Sequence, residues 1–225
     1  MRREERVPQT GRVIVLQPVL EIYAPDSFAL WPVAESEAYG FLPLSGGLDP
    51  AEVGTAVMRI AECNNVDPEA EGHPPRPTDP LGSFLHGLLT MDDLFASGGL
   101  RVTDTETGTT LLPGCCNGLE ERRDWLDVLD GSGSAGFGHD PFPLAERHGD
   151  VVRLTVDADD DNSPVIELPV TDLRRLLAGA ERDLTDFLQL AAIWTTRHLE
   201  DYATPVTAAL SRALDLPAPV MSPNL

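Results

Sequence analysis

The adjacent thiols Cys115 and Cys116 are the side chains best suited to chemistry in this sequence. A thiolate is a strong nucleophile, and it needs a base to take its proton and a third group to orient that base. His139 or His148 could supply the imidazole, with Asp140 beside His139 as orienter. Cys116, His139 and Asp140 thereby outline a cysteine-dependent hydrolase or transferase. Asn117 and Glu120 have the spacing of a capping box, which would set the thiols just before a helix whose dipole lowers their pKa. No family motif surrounds the thiols, and nothing in the sequence brings the histidines to them. Buried cysteines packing as small apolar groups are the commoner case.

Other chemistries fit less well. Cys63 with the Cys pair and a histidine would make a Cys₃His zinc set, but adjacent thiols converge poorly on one tetrahedron, and zinc usually takes CxxC spacing. No metal or cofactor is expected. Gly131-Ser132-Gly133-Ser134-Ala135-Gly136 matches GxGxxG. It follows a helical pattern instead of a strand and runs into Pro141, so a loop is expected over Gly131 to Pro143 instead of a nucleotide cradle. Asp157-Ala158-Asp159-Asp160-Asp161-Asn162 begins like a calcium loop. Asn162 takes the place of the required glycine and Leu168 that of the closing glutamate, so an acidic hairpin turn is expected. The chain has no HExxH and no GxSxG. Without any lysine it also has no P-loop cation. Trp31, Trp125 and Trp194 lie in apolar patterns and are expected in the core.

Charge is the extreme property. The chain has 37 Asp plus Glu against 16 basic residues, all of them Arg, and a net charge of −21. Such a surface repels nucleic acid and anionic lipid and attracts a basic protein. This favours an acidic protein-binding module, of the kind that an immunity or antitoxin protein uses to neutralise a basic partner. Asp157, Asp159, Asp160 and Asp161, with Glu69, Glu71 and Asp79 of the proline-rich loop, would be its contact surface. An assembly component docking through its proline-rich segments is a further possibility. Three cysteines without a disulfide framework suit a reducing cytoplasm. No apolar run approaches the ~18 residues of a membrane span.

The elements that must position these groups read as α+β, with a largely antiparallel sheet built from hairpins and a long helical C-terminal region. A single domain is expected over residues 1–225, with flexible tails at 1–11 and 216–225. Arg12 to Leu16 and Leu20 to Tyr23 read as two strands separated by Pro18, with a third near Tyr39 to Leu42. Asp49-Pro50 opens a helix that should stop at Asn64-Asn65, and Asp79-Pro80 opens another. Leu100 to Thr103 and Thr109 to Leu112 form a hairpin, and a helix from Asn117 ends at Gly131. A second hairpin pairs Val151 to Val156 with Val165 to Leu168. From Thr171 the spacing is helical, with Gly179 a possible joint, and a last helix runs from Pro205 to Leu214.

Overall fold

The computed structural model describes residues 12–23, 28–35, 39–66 and 74–219. Among these residues, two antiparallel four-stranded sheets and five α-helices make up an α+β fold, as the hairpin signals predict. The first sheet contains β1 (Ile14–Ile22), β2 (Gly40–Pro43), β3 (Gly98–Asp104) and β4 (Thr110–Leu111), in the order β2-β1-β3-β4. The second contains β5 (Ser134–Gly136), β6 (Leu144–His148), β7 (Val151–Thr155) and β8 (Val165–Pro169), in sequence order.

β1 corrects the expectation of two strands broken at Pro18. A proline interrupts a ladder only on the side to which its missing N–H would point. Pro18 sits opposite Leu100 of β3, and its carbonyl accepts from Leu44 N at 2.9 Å, just past the end of β2. The reciprocal bond toward Leu44 is the one lost, and pairing with β3 continues unbroken.

Helix α1 (Pro50–Cys63) starts as the sequence requires. Asp49 accepts from Ala51 N and Glu52 N, and Glu52 returns a bond to the Asp49 N–H, a complete capping box. It ends at buried Asn64, whose side chain donates to Ile60 O and Phe95 O and accepts from Phe95 N. Helix α2 (Pro80–Thr90) is capped by Asp79. The capping box expected at Asn117 does not form. Asn117 is buried and donates instead to Gly98 O at 2.7 Å, and the next residues are a short 3-10 turn (Leu119–Arg123) leading into α3 (Asp124–Asp130). The expected loop from Gly131 to Pro143 contains β5, and β6 was not foreseen. Helix α4 (Val170–His198) runs 29 residues without a break at Gly179, and α5 (Ala203–Ala213) follows a second 3-10 turn.

Buried side chains form two clusters. One gathers Leu20, α1, α2, α5 and the C-terminal half of α4 around Trp31 and Trp194. The other packs the faces of β3, β6, β7 and β8 against Trp125, Phe137 and the N-terminal turns of α4. All three tryptophans are in the core, as expected. Of the tail expected from residue 216, Leu216 is fastened by its N–H to Ser211 O and by its carbonyl to Ser211 Oγ. The tail 1–11, and Glu69 and Glu71, lie outside the described residues. No helix among the described residues is long and apolar enough to cross a membrane.

Candidate functional site

Two loops meet where the first sheet hands over to the second. The segment after β4 and the segment after β5 run antiparallel for one rung. Gly114 N donates to Phe137 O at 2.9 Å, and Cys115 and His139 exchange both backbone bonds, at 2.6 and 3.2 Å. Phe137 anchors the second loop by stacking on Trp125, with ring centroids 4.2 Å apart. Gly138 makes the approach possible. Its φ is 92°, and a Cβ there would lie 2.7 Å from Cys115 O.

This rung carries the thiols and the imidazole nominated from the sequence. Successive side chains of an extended segment point to opposite faces. Cys116 escapes that alternation through a left-handed backbone, φ 64°. Both thiols consequently turn the same way, and their Sγ atoms are 3.4 Å apart. His139 reaches them from the facing loop, so that one ligand atom each of Cys115, Cys116 and His139 lies within 4.8 Å of the others. Asp140 Oδ2 is 3.1 Å from His139 Nδ1. All four side chains are exposed.

The electrostatics separate the two thiols. Cys115 donates its S–H to Cys116 and holds its proton, so its pKa rises. Cys116 receives that bond and another from His139, and its pKa falls. His139 is pushed up by its bond to Asp140, and then by Cys116, toward the imidazolium. The expected source of the Cys116 shift was a helix dipole. The short 3-10 turn that replaces that helix supplies none worth naming, and hydrogen bonds do the lowering instead.

A neighbouring polar cluster escaped the sequence reading. Glu21 accepts from Tyr23 Oη at 2.8 Å and from Ser97 Oγ at 2.7 Å, and the Arg59 guanidinium lies 4.4 Å above the Tyr23 ring. Glu21 is near enough to oppose ionisation of both Cys115 and Cys116. The bond to Glu21, then burial, pushes the Tyr23 phenol up to about 12. One signal was available: Glu21 and Tyr23 are two apart on a strand end and so share a face.

The remaining candidates fall elsewhere. His148 ends β6 at the turn into β7, opposite Val151, and does not join the thiols. Cys63 is partly buried beside Arg59, and burial pushes its thiol up. It is outside the converging group. The glycine pattern from Gly131 opens a strand instead of a helix. In the acidic turn, Asp157 accepts from Phe142 N and Asp159 N, and Asp160 accepts from Asn162 N. Asp159 and Asp161 are exposed beside them. Asp79 is occupied as the α2 cap and lies away from that turn in sequence. Comparison with known proteins finds no matching family model, curated protein or solved structure.

Proposed function

We propose that this protein performs thiol-dependent group transfer or hydrolysis at Cys116. The observation that supports the reading is the joint placement of Cys116, His139 and Asp140 by two loops that the sequence could not show to meet. Cys116 is the nucleophile. Its sulfur attacks an electrophilic carbon such as an acyl carbonyl, and His139, steadied through Nδ1 by Asp140, takes the thiol proton and returns it to the leaving group. The open position of all four side chains favours an electrophile carried on a large partner.

Limited labelling of the reduced protein with iodoacetamide at neutral pH, read by peptide mass spectrometry, tests this. Cys116 is expected to react before Cys115 and Cys63, and His139→Ala to slow it, because the hydrogen bond from the imidazole that helps hold the thiolate is lost. Equal labelling of the three thiols would sink the reading.

A second reading, an acidic module that covers a basic protein, is favoured by the exposed Asp159, Asp160 and Asp161 at the tip of the β7–β8 hairpin in a chain of net charge −21. Its mark is an association rate that falls steeply with ionic strength. Stopped-flow mixing with a basic partner captured from the native host checks it, and a rate indifferent to salt contradicts it.

A further inference from the structure

We propose that Cys115, Cys116 and His139 form a binding site for a thiophilic d¹⁰ metal ion, Zn²⁺ being the physiological representative, with a fourth position open to water. The inference stands on ligand placement and does not depend on the nucleophile reading.

Three observations carry it. First, the donors already converge. Zinc–thiolate bonds of about 2.3 Å and zinc–imidazole bonds of about 2.1 Å put the ligand atoms of a tetrahedral site roughly 3.4 to 3.8 Å apart. The two Sγ atoms stand at 3.4 Å, and the widest separation in the group is below 4.8 Å. Side-chain rotation of about 1 Å closes the difference. The objection that adjacent cysteines point apart is removed by the left-handed backbone of Cys116.

Second, the donors stand on a fixed frame. Cys115 and His139 are joined by two backbone bonds, so one thiolate and the imidazole cannot drift apart without breaking that rung. Asp140 holds His139 at Nδ1, which leaves Nε2 as the nitrogen for an ion. A carboxylate behind a ligating histidine fixes the ring and raises its basicity.

Third, the donor set selects the ion. Two thiolates and an imidazole prefer zinc-like ions and reject Mg²⁺ and Ca²⁺, which want oxygen. The acidic turn, in contrast, directs the Asp157 and Asp160 carboxylates onto backbone N–H groups. Among the described residues, Cys115, Cys116 and His139 are the group in which three such donors converge.

Loading proceeds without redox change. Both cysteines bind as thiolates and His139 as the neutral imidazole, so one Zn²⁺ displaces up to three protons to the buffer. The bound ion would occupy the Cys116 sulfur and hold off its reaction with electrophiles until removed.

The test is calorimetric titration of the reduced full chain with Zn²⁺ in a large excess of Ca²⁺ and Mg²⁺, with Co²⁺ as an absorbance probe of thiolate ligation. One equivalent is expected to bind, with proton release and a thiolate-to-cobalt charge-transfer band. Cys115→Ser and His139→Ala should weaken binding about a hundredfold, and Asp140→Asn, which keeps every ligand, about tenfold. Absence of zinc binding would overturn the proposal. So would equal binding by the Cys115→Ser, Cys116→Ser double variant, or displacement by Ca²⁺, either of which places the ion on surface carboxylates. Labelling of the metal-free protein separates the two ideas. If Cys116 is not selectively labelled but zinc binds as described, the nucleophile reading fails and the metal site stands.

Discussion

Cys116, His139 and Asp140 could be nominated from residue type, because only a few side chains can attack carbon, accept a proton or orient a base. Their proximity could not. It depends on a single rung between Cys115 and His139 and on a left-handed φ at Cys116, a conformation that a cysteine does not advertise. Tyr23 was overlooked for a related reason: its role comes from Glu21 and Arg59, and Arg59 is far along the chain. Its phenol gives a pH prediction. An unfolded tyrosine ionises near 10, whereas the folded chain holds the proton up to about 12. The folded form therefore binds more protons between those values, and stability falls as pH rises. The stabilisation is complete below about pH 10 and lost progressively through about pH 12. Urea unfolding of wild type and Tyr23→Phe across this window should show a steeper decline for the wild type, and parallel declines would contradict the assignment.

At the scale of elements, the helix starts were the most legible part. Asp49 and Asp79 each precede a proline and cap as the local rules require. Local signals misled where tertiary pairing decides. Pro18 is tolerated because β2 has ended, and β5 has only Ser134, Ala135 and Gly136 to declare it. β6 presents Ala145 as its one fully buried side chain, between half-buried Leu144 and Glu146, too little for an alternation to be seen. Helix packing gives a paired prediction. A Cβ at Gly87 of α2 would fall 1.7 Å from the Asn64 carbonyl oxygen, whereas one at Gly179 of α4 would meet only an Arg182 nitrogen at 3.8 Å. Alanine is intrinsically better than glycine in a helix by ~1 kcal/mol. Gly179→Ala should therefore stabilise by up to about that amount, and Gly87→Ala should destabilise by about 1–3 kcal/mol because backbone must move. Denaturant midpoints of the two variants check both signs.

For the whole molecule, the hairpins and the long C-terminal helical pattern made an antiparallel α+β fold readable. The division into two sheets was not, since β1 finds its partner β3 across β2 and, among the described residues, two helices, with Gln17 beside Arg101. Composition correctly fixed the charge, but where that charge acts depends on which carboxylates fold turns back onto the backbone and which are left to solvent. The long helix α4 has a consequence for synthesis. Leu173, Leu177 and Ala180 complete one cluster, while Leu184, Phe187, Leu188 and Trp194 complete the other. A nascent chain emerging N-terminus first thus carries both sheets and the thiol loops before it can close either core. The apolar faces of α1, α2 and the strands stay open to other chains until residues beyond 170 leave the ribosome, so the interval between making the exposed thiols and burying the core beneath them is set by the translation of a single helix.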